Sequence, residues 1–386
     1  MNRHRLSHAA AVAFIASLLA FAGPAAPRAD ETRNRVELLR VPDQGLQPKV
    51  VVDEKGVVHL TYFKGEPSHG DVFYARIDGK NGISRPVQVN TAPDSAIATG
   101  NVRGPQLAVG RQGRVHVAWM GSDRAPRALD AVPMLYTHMR SDGTFEAERN
   151  IHQNAGPIDG GSIAADEAGG VYVSWHAEMP GEKGEANRRA WVARSTDEGQ
   201  TFAKEEAASP AAFGACGCCG TGGFVDRQGS LYVLFRAAHE EEHRDAVLLR
   251  STDRGRTFSA RSLQDWNLKA CPMSTFSMAE GAGAVVAAWE TAGQVYWTRV
   301  DRAGDPIAAP GGTGVRKHPS IARNAHGETL LAWTEGMGWS KGGSLAWQRY
   351  DGNGAPAGAI GRADGVPAWS LVAVYPRADG TFTIIY

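Results

Sequence analysis

A short alternating stretch that ends on an aromatic recurs along the chain. Copies are Val58-His59-Leu60-Thr61-Tyr62, Val115-His116-Val117-Ala118-Trp119, Val171-Tyr172-Val173-Ser174-Trp175 and Leu231-Tyr232-Val233-Leu234-Phe235, with further copies at 285–289, 329–333 and 382–386. Alternation with period two is the signature of a strand with one face buried. From Tyr62 to Tyr386 the copies step six times, about 54 residues each. Each copy follows a shorter apolar run (50–53, 106–110, 162–166, 223–226) and precedes another (72–76, 135–140, 190–194, 246–250). About four short strands per repeat, separated by Asp- and Gly-bearing turns, predict an all-β propeller of four-stranded antiparallel blades. The pattern yields seven blades, the last made from the C-terminal hairpin 370–386 and closed by a spare N-terminal strand at 36–41; six blades is the alternative. Residues 30–386 are thereby expected to form a single propeller domain.

Before the first repeat, Arg3, His4 and Arg5 precede an apolar run from 9 to 22, with Ala20 and Ala22 at the small-residue positions. This is the pattern of an export signal over residues 1–22, with cleavage as late as 29. No later stretch approaches the roughly 20 apolar residues of a membrane span. The mature chain is thus expected to be a soluble monomer, periplasmic or secreted. Lys and Arg (41) balance Asp and Glu (41), so no basic field is available to hold nucleic acid, and a small molecule or glycan fits better as a partner. The 46 glycines argue against a helical bundle.

Two of the connections carry a longer motif. Ser195-Thr196-Asp197-Glu198-Gly199-Gln200-Thr201-Phe202 and Ser251-Thr252-Asp253-Arg254-Gly255-Arg256-Thr257-Phe258 both match the S-x-D-x-G-x-T-F/W Asp-box. On these residues the chain resembles the sialidase-like (BNR-repeat) β-propellers over nearly all of its mature length. The resemblance implies a propeller and, as one function class, a glycoside hydrolase acting on an acidic sugar. Under it, Arg236 would be one arginine of a carboxylate-binding triad; were the chain a hydrolase, Arg244 and a mouth carboxylate, Asp71, Glu178 or Glu290, are the candidates for the acid/base roles. The chain departs from the family where chemistry is concentrated. Val225 stands where the resemblance places the catalytic Glu, and Trp369, in Ala368-Trp369-Ser370-Leu371, stands at the tyrosine nucleophile. The R-I-P signature has only the imperfect counterparts Arg40-Val41-Pro42 and Leu46-Gln47-Pro48. Covalent glycoside hydrolysis needs nucleophile and acid/base together, so a competent sialidase is not expected.

Residues just before each inner strand and just after each second strand should share one face, around the mouth of the channel, a common ligand site. That face collects candidate ligand groups: Arg124, His176, Lys317, His318, Glu335, Trp339 and Trp369. It also collects all four cysteines, Cys216, Cys218, Cys219 and Cys271, with Met273 adjacent. Two readings stand for the cluster. In one, thiolates and the Met273 thioether hold a soft metal, for which Cu(I) is the natural ion. In the other, disulfides brace the loops, including at least one cross-blade bond to Cys271, since a Cys218–Cys219 bridge would close a strained ring. His239-Glu240-Glu241-Glu242-His243 matches H-E-x-x-H, but the connection is too short for the helix a zinc protease requires. Three classes therefore remain: a binding or metal/redox module, a hydrolase of acidic sugars, and an interaction scaffold.

Overall fold

In a computed structural model of the chain, the described residues beyond Met1 are 36–126, 132–154, 156–302, 304–312 and 314–386; the expected export signal lies outside them. Six four-stranded antiparallel sheets follow one another in sequence, and a three-stranded sheet completes the ring. The inner strands are Leu46–Val52, Gln106–Val109, Ile158–Ala165, Gly222–Val225, Ser277–Gly281, Arg316–Arg323 and Ala373–Pro376, which number blades one to seven. Among the described residues no helix is long and apolar enough to cross a membrane.

The alternating stretches are the second strands, and their terminal aromatics explain why blades stack. Trp119, Trp175, Trp289 and Trp333 are fully buried, each against residues of the preceding blade; Trp175, for example, packs on Ala108 and Ala118. Removing a ring of this size from water contributes about 3 kcal/mol. The turns between inner and second strands repeat one device. Asp53, Asp166 and Asp226 each accept backbone N–H bonds from residues two and four, or four, positions ahead, which fixes the hairpin without tertiary help.

Closure uses the spare strand. Val36–Leu39 pairs in parallel with Phe382–Ile385 in the register Val36 to Phe382. Val41 N–H donates to Tyr386 O at 3.1 Å, and the Arg40 guanidinium lies 3.9 Å from the Tyr386 ring centroid. Arg40 therefore clasps the ring at its seam. Pairing of the two ends removes the free edges that an open array of blades would present.

The Asp-boxes lie on hairpins between third and fourth strands, at the face opposite the mouth. In the first, Ser195 Oγ donates to Asp197 Oδ1 at 2.7 Å, and Thr201 Oγ1 to Asp197 Oδ2 at 2.6 Å. Desolvation pushes the Asp197 carboxyl up, but the Thr201 and Ser195 bonds outweigh it and hold it at about 2. Gly199 adopts φ +77°, and a Cβ there would lie 1.7 Å from Tyr136 Oη, so this glycine is required twice over.

Candidate functional site

At the mouth the inner strands begin with an irregularity that recurs from blade to blade. Gln47, Met273, His318 and Trp369 have φ between 50° and 61°, and Gly160 has φ +64°. The ladder slips by a residue at these points in blades one, three and six. Left-handed backbone costs a non-glycine residue roughly 1 kcal/mol or more. Its recurrence in large side chains marks a surface constrained by something other than strand formation.

The channel is closed by the connection between blades one and two. Asn101, itself left-handed at φ 61°, donates from Nδ2 to Ser370 O at 2.9 Å and contacts His318 Nε2 at 3.3 Å. Arg103 grips Asp159 through two bonds, of 2.8 and 2.5 Å. Gln47 donates to Trp369 O at 2.8 Å and accepts from Gly104 N–H at 2.8 Å. Segment 98–104 thus touches blades one, three, six and seven and caps the mouth. Sequence reasoning missed this plug; the signals available were a long irregular connection, residues 89–105, and within it an Asn, the non-glycine residue most tolerant of left-handed backbone.

Beneath and beside the plug lie buried titratable groups. Burial holds His318 neutral, pulling it down to about 3, with Lys317 adding to the effect. Lys49 opens partly to the channel, yet enclosure by protein pulls its amine down to about 8. Burial pushes the Glu290 carboxyl up, against the pull of Lys317 and Arg236; Ser274 Oγ donates to it at 3.3 Å. Lys317 donates to Pro272 O. Burial also lowers His176, which donates from Nε2 to Cys219 O at 2.7 Å, fixing its tautomer.

The cysteines converge where blades four and five meet. Cys218 and Cys271 form a disulfide with Cα atoms 6.3 Å apart, while Cys216 and Cys219 are buried free thiols. Cys216 Sγ lies 2.8 Å from Cys219 Sγ and 3.5 Å from Cys218 Sγ. The sulfurs of Cys216, Cys218 and Cys219 all lie within 4.8 Å of one another. The two free thiols are set unequal. A hydrogen bond from Cys219, opposed by burial, pulls Cys216 down, whereas burial pushes Cys219 well up. Cys271 is exposed and lines a cleft of about 550 Å³ with Glu185, Glu242, Arg244 and Lys269. The terminal methyl of Met273 lies toward Gly100 of the plug.

The remaining candidates are mostly engaged in local structure. Arg236 is fully buried, donating to Arg244 O at 2.6 Å and to Glu290 O, with its guanidinium 5.0 Å from the Trp266 ring and 5.5 Å from Phe276. It thus faces backbone carbonyls and aromatic rings. Arg244 donates to Glu185 at 2.7 Å and to Ala270 O at 3.2 Å. Asp71 accepts from Asn90 and Asp94 N–H, and Glu178 from Gly184 N–H. Asp71, Glu178 and Glu290 belong to blades one, three and five, which are not neighbours. Arg124 pairs with Asp94 at 2.6 Å. Glu335 accepts from Trp333 Nε1 and lies near Arg316 and Arg362. The H-E-x-x-H stretch forms a single short turn, His239–Glu241, with Glu240 left-handed at φ 53°. His239 and His243 stack 4.1 Å apart, near Asp245. Trp339 is 62% exposed and meets Trp369 edge to face at 4.7 Å.

No family model matches the chain, and no curated protein matches it by sequence. Among solved structures it is similar to a PL25 ulvan lyase bound to -[GlcA(1-4)Rha3S]-, with a TM-score of 0.52 and 11% identity over 86% of this chain and 87% of that one. It is also similar to the GH93 α-L-arabinofuranosidase of Fusarium graminearum (TM-score 0.49, 12% identity, 85% and 96% covered). A third is the α-L-arabinanase of Penicillium chrysogenum (TM-score 0.47, 11% identity, 84% and 94% covered). The likeness to the ulvan lyase speaks to the propeller fold alone, and function must be argued from the site.

Proposed function

We propose that the chain is an exported binding protein with a sulfur site on its mouth face, suited to one soft metal ion of the Cu(I) type, and that it is not a sialidase. The observation that carries this reading is the convergence of Cys216, Cys218 and Cys219 within 4.8 Å. Thiolates at such separations suit Cu(I) over harder ions. The surroundings fit the same reading. Cys216 and Cys219 are 1% exposed and packed on Ala238, and the charge of Arg236 lies close enough to influence both sulfurs, offsetting the negative charge of coordinated thiolates. With Cys218 tied to Cys271 only two thiols are at hand, so the loaded form is the one in which that bond is reduced. Export through the signal at 1–22 accounts for a disulfide that persists.

Against sialoside hydrolysis stand Val225 and Trp369 at the positions of the carboxylate and nucleophile, the enclosure of Arg236, and carboxylates spread over non-adjacent blades. The deciding experiment titrates Cu(I), supplied as its bicinchoninate complex, into the fully reduced chain. One Cu(I) withdrawn per chain, and none by a Cys216→Ser, Cys219→Ser variant, is the expected result. Equal uptake by the variant removes the proposal. Turnover of a fluorogenic sialoside by the purified chain would overturn the second half of it.

A second reading rests on a separate observation, the exposed Trp339 set against Trp369 on the same face. An indole so exposed suits stacking on a sugar ring. Loss of glycan-array binding in Trp339→Ala, with unchanged stability, supports it; no glycan bound by the wild type removes it.

A further inference from the structure

The cysteines carry one more arrangement, which stands whether or not a metal binds. Three features coincide within a few ångströms. A disulfide, Cys218–Cys271, has one sulfur at the wall of an open charged cleft. A buried dithiol, Cys216 and Cys219, lies behind it with its sulfurs 2.8 Å apart. Cys216 Sγ, one member of that dithiol, sits 3.5 Å from Cys218 Sγ, in contact with the sulfur an attacking thiolate must reach. The backbone holds this approach in place, since Cys216 N–H donates to Arg236 O at 2.9 Å and Gly220 N–H to Ser274 O at 2.9 Å. The first bond pins the Cys216–Cys219 loop to the end of a blade-four strand, and the second ties it to the loop that carries Cys271.

We infer that the four cysteines form a thiol–disulfide relay that moves two electrons from the buried pair to the pair at the cleft. Cys216 gives its proton to water, and its thiolate attacks Cys218 Sγ. A Cys216–Cys218 bond forms as Cys218–Cys271 breaks, and Cys271 leaves as a thiolate that takes a proton from the cleft. Cys219, deprotonated in turn, attacks Cys216 Sγ; a Cys216–Cys219 bond forms, and Cys218 leaves and is protonated. The inner dithiol is oxidised and the outer disulfide reduced, with atoms, protons and electrons in balance and no outside oxidant or reductant consumed. Thiol–disulfide exchange proceeds by such attacks, at rates set by thiolate character and access. The product displays Cys271 as a free thiol in the cleft. Its natural partner is a disulfide-bearing molecule able to enter among Glu185, Glu242, Arg244 and Lys269, which would take up the two electrons and restore a disulfide here.

The test uses the full exported chain, purified without reductant and incubated folded with N-ethylmaleimide. Peptide mass spectrometry then reads which cysteines are labelled and which are bonded. Labelled Cys271 together with a growing Cys216–Cys219 disulfide is the expected result. In Cys216→Ser the labelling of Cys271 should fall by at least about tenfold, because the first attack is removed. In Cys219→Ser, Cys271 should still be labelled, with the bond resting at Cys216–Cys218. Wild-type protein in which Cys271 stays unlabelled, while Cys216 and Cys219 remain thiols on unfolding, would overturn the relay. That comparison needs no variant and holds even if a serine substitution prevents folding.

Discussion

Replacing Arg236 by methionine separates two accounts of this arginine. Met keeps the unbranched apolar stem but stops short of the guanidinium, so the change removes the charged fork and leaves only a small void where it stood. In the fold the guanidinium serves Arg244 O and Glu290 O, which belong to adjacent blades, and packs over Trp266 and Phe276. Two buried carbonyls lose their charged donor, at about 1–3 kcal/mol each. Glu290 loses one of its two positive neighbours. Relief from burying a guanidinium returns part of this, leaving a net loss of about 2–4 kcal/mol. Arg236→Lys should recover less than half, since a single nitrogen replaces the planar fork whose two nitrogens each hold one carbonyl. Urea unfolding followed by tryptophan fluorescence reads the difference. Arg236→Met within about 0.5 kcal/mol of wild type would refute the structural account. So would a fully stable variant that had lost turnover of an acidic sugar, which would return Arg236 to the role its family resemblance implies.

Other consequences can be checked in the same way. Gly199→Ala places a Cβ against Tyr136 Oη at left-handed φ and should cost about 2–4 kcal/mol, whereas Gly56→Ala, at φ +78° with open space around it, should cost only about 1 kcal/mol; paired denaturant melts decide. Lys49 titrates near 8 folded and near 10.5 unfolded, so between those values the unfolded chain binds more protons and stability rises with pH. Lys49→Met should accordingly stabilise the protein at pH 7 by at most about 3 kcal/mol, less where channel water reaches the amine, and the gain should vanish above the unfolded value. His318 has the same sign lower down. Held neutral to about 3 against 6.5 unfolded, it contributes stability that is present above 6.5 and lost as pH falls through that window, so His318→Asn should flatten the acid limb of the stability–pH profile. A Leu39→Pro change should open the seam and lower the melting temperature, because Leu39, whose carbonyl accepts from Tyr386 N–H at 3.0 Å, faces the C-terminal strand and the ladder cannot survive loss of its N–H, whereas Leu38→Pro, on the outward side of this edge strand, should cost much less.

Chain order and local chemistry were enough to reach the ring. Alternation over five or six residues, an aromatic at the end of each second strand, and Asp-bearing turns are set by neighbours in sequence, so seven blades, their order and the closing strand at 36–41 could be read from residues alone. The same holds for the Asp-boxes, whose hydrogen bonds run among Ser195, Asp197, Gly199 and Thr201, and for the gathering of four cysteines at one face, which follows from their placement just before two inner strands. Tertiary structure decided what those groups do there. Arg236, placed by the family resemblance in a carboxylate-binding triad, is instead held by carbonyls from two blades. Segment 98–104 looked like one more connection and folded across the mouth to reach four blades. Cys218, not Cys216 or Cys219, was the thiol turned toward Cys271. Each outcome depends on distances between segments some 50 to 270 residues apart in the chain, set when the blades pack. No local pattern encodes which of several nearby partners a buried donor or sulfur will face.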